Sequence, residues 1–361
     1  MYLIEWGLWQ ASIEPEPRRK ATDAEATAND TYAIKDFYES DLKEEIHFNS
    51  VSNTPRTRGP VFSFNDTYMD MRCGGTEEKR GLITLATLGG IAPMIFTATL
   101  LALGFIWIDI TDPAMRSPIS MLTTLIMLSL DAAIIYLYSK YGFHLTRLEI
   151  ITSRHLLIRF NRKTQQVHLH RPSYCGGIVT FPWKTTASTA TYPEDDACSL
   201  GVRLGLIWHP SRTGLPHMEV AFLGKQGQGG SELRDEWEFI RRYMEEGPES
   251  VPRPRLSTQL PSPIRAFSAQ FEGLGRFFRK SSWLLKAILL MVWPAFVIIG
   301  TAHWVSLMLC WRPHWPKVIR EAGMPGKPVP PLTTLSDYPS EIQKRLLANA
   351  DRWRLKPGKR P

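Results

Sequence analysis

Two histidines and a cysteine come nearest, in type and spacing, to a metal site. His168 and His170 lie two apart on a predicted strand, so their side chains share a face, and Cys175 follows shortly after. Imidazole and thiolate groups bind zinc, but a structural zinc site takes four ligands and the sequence offers no second pair at a suitable spacing. We therefore predict surface histidines here and no metal site.

Motifs of the common catalytic classes are absent from the sequence. Gly224-Lys225-Gln226-Gly227 resembles a phosphate-binding loop only superficially, because the GK[ST] ending and a helix start at the right spacing are missing. The GxSxG nucleophile elbow and the HExxH zinc motif do not occur either. The four cysteines have no redox or metal-type spacing, which is typical of a reducing compartment. We predict a protein that is not an enzyme and binds no cofactor.

Asp131 is an ionisable residue inside an apolar run. A charged residue at the centre of a bilayer costs about 2.5 to 3.5 kcal/mol on insertion scales, so it usually faces a partner or water. Two interpretations follow. Asp131 belongs to a proton or ion site or contacts a toxin, or it pairs with a polar group of the preceding run, such as Thr87 or Thr97, or is protonated.

Three long apolar runs predict a membrane protein. They extend from Leu82 to Ile108, from Ile119 to Leu137 and from Trp283 to Trp311. Each has roughly the 20 residues that a helix needs to cross the hydrocarbon core. Because backbone groups in lipid must pair within the segment, each run is predicted to be a helix. The mean hydropathy of -0.17 hides these runs, since the rest of the chain is polar.

The positions of the basic residues predict the orientation of the first two helices. The loop between them, residues 109–117, has Arg116 as its one basic residue, whereas residues 72–80 and 140–154 each contain three. Positive charge near the ends of a span favours the cytoplasmic side. We therefore predict a multi-pass protein of the bacterial inner membrane, with the N-terminus and the middle of the chain in the cytoplasm.

The third apolar run has basic residues on both flanks, in residues 276–280 and 312–327. Two interpretations remain. The run is a single span with a kink, or it is a re-entrant or hairpin element that returns to the cytoplasm. In the second case Pro294 marks the bend, because proline interrupts the hydrogen bonding of a helix.

The middle of the chain is predicted to be β-rich. Runs at 155–160 and 165–170 flank a turn at 161–164, and further strands are expected at 178–183, 202–208 and 217–223. A helix from Glu232 to Met244 follows. A curved antiparallel sheet that is closed by one C-terminal amphipathic helix is a pleckstrin-homology-like arrangement, so the predicted fold class is an α+β membrane protein.

The predicted helix has an apolar face at helical spacing, which includes Leu233, Trp237, Ile240 and Met244. Arg241 lies near its C-terminal end, where positive charge suits the helix dipole. We take Trp237, Ile240 and Arg241 as the candidate face for packing or for a partner.

The sequence divides into six regions. These are an acidic, weakly ordered N-terminal region (1–60) with a possible short element at 32–38, a membrane hairpin (61–140), the β-rich domain (141–246), a Pro-rich linker (247–263), an amphipathic segment plus the third apolar run (264–311), and a basic tail (312–361).

Residues 264–280 can place their apolar side chains on one helical face and their basic ones elsewhere. This pattern is typical of a helix that lies on an anionic leaflet, and packing on the middle domain is the alternative. The formal net charge of +8 fits anionic lipid at least as well as nucleic acid, and no nucleic-acid-binding motif is present. The expected partners are therefore the lipid bilayer, including anionic lipids, and no nucleic acid.

Three stretches resemble a known family. They are FNRKTQQVHLHRP (160–172), GGIVTFPW (176–183) and WEFIRRYMEEGP (237–248), of which the last is the most specific. Together with the preceding membrane hairpin they are similar to uncharacterised proteobacterial inner-membrane proteins, which are commonly encoded beside type VI secretion genes and their toxins. The resemblance covers about residues 60–250 and implies a setting in interbacterial competition, without catalytic residues.

Two classes of function follow. The first is a non-enzymatic immunity or accessory protein of a type VI secretion locus, which binds a toxin or a secretion component. The second is a membrane-disrupting effector or transport component that uses Asp131 and the third apolar run. The first predicts a chain that is harmless alone, and the second predicts toxicity or ion leakage.

Overall fold

The first two apolar runs form a helical hairpin. The computed structural model describes residues 2–15, 49–112, 117–191, 202–227, 230–271, 274, 278–279 and 281–353. Within them, helix α2 (Leu82–Thr111) and helix α3 (Pro118–Thr146) are long and apolar enough to cross a membrane. We call this pair the apolar hairpin. Both helices extend past the predicted ends of their apolar runs.

The side chains of the apolar hairpin are mostly exposed, as a lipid-facing surface requires. Phe96 in α2 is 64% exposed and Ile119 in α3 is 76% exposed. Ser117 caps α3, because its hydroxyl accepts a hydrogen bond from the Ser120 N–H, and Pro118 then occupies the first turn. Wider π-type turns interrupt the two helices at Thr87–Ile91 and Tyr138–Gly142.

The soluble part of the molecule is built on one antiparallel sheet, so the predicted α+β class is confirmed. The strands pair in the order β5-β4-β3-β2-β8-β7-β6, and β1 pairs with β2. The strands are β1 (Val61–Phe64), β2 (Tyr68–Cys73), β3 (Leu156–Asn161), β4 (Gln166–His170), β5 (Val179–Pro182), β6 (Ala187–Ser188), β7 (Val202–Trp208) and β8 (Glu219–Gly227).

The first two strands correct the predicted boundary of the membrane hairpin. Residues 61–73 were assigned to region 61–140, but they belong to the sheet, and β2 pairs with β3 from Tyr68↔Asn161 to Cys73↔Leu156. The apolar hairpin is therefore inserted between two neighbouring strands of one sheet. Sequence reasoning missed β1 and β2, and the pairing of β2 with β3 joins segments on either side of both apolar helices.

One amphipathic helix packs on the sheet. Helix α4 (Pro210–Thr213) is a single turn, whereas α5 (Gly230–Glu245) buries the predicted face of Leu233, Trp237, Ile240 and Met244. The ring of Trp237 lies 5.5 Å from that of Trp183, which follows β5. Large aromatic side chains such as these provide much of the buried apolar area of a core.

The third apolar run forms two helices instead of one. Helix α6 (Pro263–Gln270) precedes it, and the run itself divides into α7 (Trp283–Met291) and α8 (Trp293–Met308), which are bent by 49° relative to each other. Pro294 lies in the first turn of α8, where proline lacks only a hydrogen bond that a helix start leaves unmade anyway. Two helices complete the described C-terminal part, α9 (Lys317–Arg320) and α10 (Ser340–Ala348).

The region predicted as a basic tail crosses the sheet. We call residues 312–338 the C-terminal strap. Arg159 donates to the Ile319 carbonyl at 3.2 Å, and the Thr333 N–H donates to the Thr180 carbonyl at 3.0 Å. With α5 on one face and the strap on the other, all residues of β3 are buried. This double cover explains why β3 does not alternate between buried and exposed positions.

The N-terminal region is partly ordered, unlike its prediction. Helix α1 (Leu3–Ser12) buries Trp9, and the side chain of Asn349 donates to the Ser12 carbonyl at 3.1 Å. The acidic stretch 16–48, with its expected element at 32–38, and Arg116 of the hairpin loop lie outside the described residues.

Short 3-10 turns occur at Glu77–Lys79, Ser173–Cys175, Trp183–Thr185, Thr189–Thr191, Pro248–Ser250, Leu335–Asp337 and Ala350–Trp353.

Candidate functional site

A buried carboxylate joins the sheet to the start of the apolar hairpin. Glu149, which follows α3 and is 0% exposed, accepts hydrogen bonds from the N–H groups of Gly81, Ile83 and Thr84 at the N-terminus of α2. It also accepts one from the Thr84 hydroxyl at 2.6 Å. The first N–H groups of a helix have no partner within the helix, and negative charge there is favourable. Glu149 therefore ties the end of α3 to the start of α2.

Arg80 binds three segments at the same place. It is 1% exposed, and its guanidinium donates to the Ser306 hydroxyl at 2.8 Å, the Arg154 carbonyl at 2.6 Å and the Glu149 carbonyl at 3.0 Å. Burial by itself lowers the pKa of Arg80, but Glu77 and the other nearby groups together outweigh it, and the pKa is raised. Arg80 therefore stays charged and holds its carbonyl partners together.

Arg154 completes this junction. Its guanidinium donates to the carbonyls of Leu307 at 2.8 Å, Cys310 at 2.9 Å and Gln259 at 3.1 Å. Its own N–H donates to the Trp311 carbonyl at 2.7 Å. The carbonyls at the end of α8 would otherwise lack partners, so Arg154 stabilises this helix end as well. We call Arg80, Glu149 and Arg154 with their partners the polar junction.

A small cavity lies beside the polar junction. Its volume is about 30 Å³, and its lining includes Phe62, Arg72, Glu77, His155 and Arg265. The ring of His155 stacks on Phe62, and its Nδ1 atom has no hydrogen-bond partner among the described residues. Burial lowers the pKa of His155, so the imidazole is neutral. The cavity is large enough to hold ordered water, for which the free ring nitrogen provides a partner.

Sequence reasoning did not identify the polar junction. Arg80 and Arg154 were read only as charges flanking the spans, and Glu149 was not singled out. The glycine at position 81 is the one sign of the junction that the sequence contains. Its φ of +111° and its close approach to the backbone of Ile299 and His303 leave no room for a side chain, so this position requires glycine.

Asp131, the membrane candidate, faces the other helix of the hairpin. It is 5% exposed, and its Oδ2 atom accepts a hydrogen bond from the Thr99 hydroxyl at 2.8 Å. The predicted partners Thr87 and Thr97 are therefore not the ones used, and the Thr87 hydroxyl pairs with Thr146 instead. The Oδ1 atom of Asp131 has no hydrogen-bond partner in the part of the chain that the structure describes.

His168 of β4 is buried and His170 is half-buried, so the prediction of surface histidines is wrong for His168. The His168 ring bonds to the Thr180 hydroxyl at 2.9 Å and lies under Trp315 of the strap, and His170 bonds to the His314 carbonyl. Burial and the nearby charge of Arg159 lower the pKa of His168 to about 3. Cys175 is buried as well. The described residues contain no group of three or more ligands that could hold a metal ion.

The candidate face on α5 lies inside the molecule. Trp237 and Ile240 are both 0% exposed. Arg241, offered as a partner-binding residue, donates instead to Glu238 at 2.7 Å and to Glu246 at 3.0 Å. Glu238 also accepts from the N–H of Val51, because residues 49–58 cover the outer side of α5. All three side chains therefore serve the internal packing of this domain.

Two further carboxylates are buried in the sheet domain. Glu219 pairs with Arg171 and, at 3.0 Å, with His217. Burial alone raises the pKa of Glu219, but Arg171 and His217 together lower it to about 2. Glu236 lies against Gly224, and its Oε2 atom has no hydrogen-bond partner among the described residues; burial raises its pKa to about 7 despite the hydrogen bond from the N–H of Arg58.

Comparison with known protein families gives one match. The model of a family of unknown function (DUF6708) matches residues 134–324, just over half of the chain. The chain belongs to this family. The matched region begins near the end of α3 and includes strands β3 to β8, α5, the bent helix pair and the first part of the strap. No curated protein and no solved structure matches the chain.

The DUF6708 match includes most of the polar junction. Glu149, Arg154, Leu307 and Cys310 lie within the matched range, whereas Arg80 and strand β2 precede it. The junction therefore connects the family region to the N-terminal strand and to the start of the apolar hairpin.

Proposed function

We propose that this DUF6708 protein is a non-enzymatic inner-membrane protein that acts by binding a toxin, as an immunity or accessory protein of a type VI secretion locus. The observation that carries the proposal is the polar junction. Its charged groups, of which Arg80 and Glu149 are buried, form hydrogen bonds with backbone groups of the chain and so attach the sheet domain directly to the apolar hairpin. Such an attachment suits a recognition domain that keeps a fixed position relative to the membrane surface. The type VI setting rests on the motif resemblance at 160–183 and 237–248.

We further propose a pleckstrin-homology-like topology for the sheet domain. Strands β2 to β5 pair in sequence, β6 to β8 pair in sequence, and α5 follows directly. This order supports the assignment, with the apolar hairpin inserted between β2 and β3. A binding role is compatible with such a domain, because the function of a domain is determined by the residues at its surface sites and not by the fold alone.

The proposed orientation places the sheet domain in the cytoplasm, and reporter fusions test it. A reporter fused at Pro113 should report the periplasm, and fusions at Asn53 and Gly227 should report the cytoplasm. A cytoplasmic signal at Pro113 would contradict the membrane hairpin.

The alternative is a membrane-disrupting effector or transport component. The observation in its favour is the Oδ1 atom of Asp131, which is buried between α2 and α3 without a described partner. Ionisable groups within membranes often lie on proton or ion paths. On this view several copies would be needed to enclose a path, since Asp131 lies between only two helices.

One experiment separates these functions. The wild-type chain, Asp131→Asn and Trp237→Ala are each expressed with and without the neighbouring toxin gene, and survival and membrane potential are measured. The binding function predicts protection by the wild type, largely unchanged protection by Asp131→Asn and loss of protection by Trp237→Ala. The binding proposal fails if the wild-type chain alone depolarises the membrane and Asp131→Asn stops it.

A further inference from the structure

Residues 263–308, which we call the helical arm, leave the sheet domain and return to it at one point. Arg154 donates to the Gln259 carbonyl before the arm at 3.1 Å and to the Cys310 carbonyl after it at 2.9 Å. The Arg312 side chain also donates to the Gln259 side chain at 2.9 Å. The two ends of the arm are therefore neighbours.

The chain stays on the sheet domain after the arm. The Trp311 N–H donates to the Thr152 carbonyl at 3.1 Å, and Ser153 forms a parallel bridge with Trp311. The C-terminal strap then covers the outer face of the sheet. A single crossing of the bilayer by the arm would put the strap and the sheet on opposite sides, so the single kinked span conflicts with these contacts.

The arm folds back on itself. Phe267 of α6 occupies the space that Gly300 leaves in α8. The ring of Phe271 stacks on Trp293 and on Phe296, with centroid distances of 5.8 and 5.3 Å. Helix α6 thus packs along α8, and α7 precedes α8 in the chain.

Helix α7 of the arm has an exposed apolar surface. Trp283, Leu290 and Met291 of α7 are 79%, 76% and 80% exposed. Helix α8, which follows α7, lies against the start of the apolar hairpin, because the backbone of Gly81 closely approaches that of Ile299 and His303. An exposed apolar surface of this kind needs an apolar partner.

Basic side chains accompany the apolar ones. Arg265 and Arg279 are exposed, and the ammonium group of Lys286 lies 5.7 Å from the ring centroid of Phe278. A helix with apolar and basic side chains suits the boundary between acyl chains and anionic headgroups, where lysine keeps its charge near water.

We propose that the helical arm is a lipid-binding element inserted into only one leaflet, the leaflet next to the sheet domain. The convergence of both ends at Arg154 together with the exposed apolar face of α7 carries the proposal. It rests on the membrane insertion of the apolar hairpin proposed above, but not on which compartment holds the sheet domain.

Cysteine labelling in sealed vesicles tests the sidedness of the arm. The background is the full chain with Cys198→Ser, since Cys73, Cys175 and Cys310 are buried. Single cysteines replace Glu249 as the reference on the domain side, Thr111 as the reference at the hairpin loop, and Ser281 before α7. All three positions are treated with an impermeant maleimide from each side.

Ser281→Cys is expected to react from the same side as Glu249→Cys, and Thr111→Cys from the other. Reaction of Ser281→Cys from the side of Thr111→Cys would overturn the one-leaflet insertion. If Glu249→Cys and Thr111→Cys react from the same side, the hairpin proposal itself fails. The failure of the membrane hairpin is therefore distinguishable from the failure of the one-leaflet insertion.

A second measurement tests whether the occupant is lipid. A fluorophore on Leu290→Cys is placed in vesicles of phosphatidylethanolamine and phosphatidylglycerol that contain spin-labelled lipid. Quenching of this fluorophore, with none at Glu249→Cys, is the expected result. An unquenched fluorophore at Leu290→Cys would overturn the lipid assignment and indicate a protein partner for α7.

Discussion

At the scale of single residues, Glu236 is a carboxyl group in a site that favours its neutral form. Burial raises its pKa to about 7, whereas the unfolded chain has the ordinary value near 4.5. The folded state therefore binds the proton more tightly than the unfolded state does. The stability that results is fully present below about pH 4.5 and is lost as the pH rises through about 7.

Substitution of Glu236 by Gln should remove this pH dependence. A shift of this size corresponds to a loss on the order of 3 kcal/mol between acid and pH 8. We expect Glu236→Gln to be more stable than the wild type at pH 8 and to match it near pH 4.5. Chemical unfolding of the solubilised protein, followed by tryptophan fluorescence at both pH values, measures the difference.

Glu238 on the same helix provides the opposite control. Burial opposes its charge, but Arg241 and Arg242 lower its pKa to about 2. Its stabilisation is present above the unfolded value near 4.5 and is lost as the pH falls toward 2. Glu238→Gln should therefore destabilise the protein at pH 8. If the two variants respond to pH in the same way, the assignment for Glu236 is wrong.

Glu149 gives a second test at this scale. Its four acceptor contacts with residues 81–84 require a carboxylate, because an amide turns one acceptor into a donor that faces N–H groups. We expect Glu149→Gln to cost about 1–3 kcal/mol, the usual penalty for a buried polar group without its partner. Glu246→Gln, at a carboxylate that is 46% exposed, should cost much less. Thermal unfolding in detergent compares them, and equal melting temperatures would argue against the cap.

At the scale of elements, α5 is the helix whose role the sequence predicted most directly. Trp237→Ala should cost about 3–5 kcal/mol, because the ring is 0% exposed and its removal leaves a cavity. The variant should remain in the membrane but become protease-sensitive between residues 141 and 246. Trp311→Ala is the matched control, since that side chain is 57% exposed. An unchanged cleavage pattern for Trp237→Ala would mean that α5 does not hold the core.

The elements that sequence patterns revealed are those with local signals. The runs that form β3 and β4 flank a turn, and α5 repeats apolar residues at helical spacing, so each was predicted close to its observed bounds. Strand β2 was missed although β1 lies just before it, because its other partners, β3 and β8, are distant along the chain. The polar junction could not be predicted from the sequence for a related reason, since Arg80, Glu149 and Arg154 meet only after the sheet and the hairpin have formed.

At the scale of the whole molecule, the apolar hairpin, the helical arm and the strap all start from the sheet domain. The hairpin is an insertion between β2 and β3, and the arm starts and ends at Arg154. The polar junction therefore holds every element proposed to enter the membrane.

The strap is the part of the molecule whose removal should change the sheet domain most. It covers Arg159, whose guanidinium pairs with Asp70 and lies 3.8 Å from the ring centroid of Tyr68 and 5.0 Å from that of Trp315. The cation–π contact with Trp315, worth about 0.5–2 kcal/mol, and several hydrogen bonds would be lost with the strap.

A chain that ends at Trp311 should therefore unfold at a lower temperature, since each kcal/mol lost lowers the melting temperature by roughly 2–4 °C for a domain of this size. The pKa of His168, which burial and Arg159 lower to about 3, should rise toward the ordinary value near 6.5 as the ring becomes exposed. Addition of a peptide of residues 312–353 should restore the melting temperature, because the strap contacts the sheet through side-chain and backbone hydrogen bonds that need no covalent link. Unfolding of the truncated chain at the temperature of the full chain, with no effect of the peptide, would show that the strap does not stabilise the sheet.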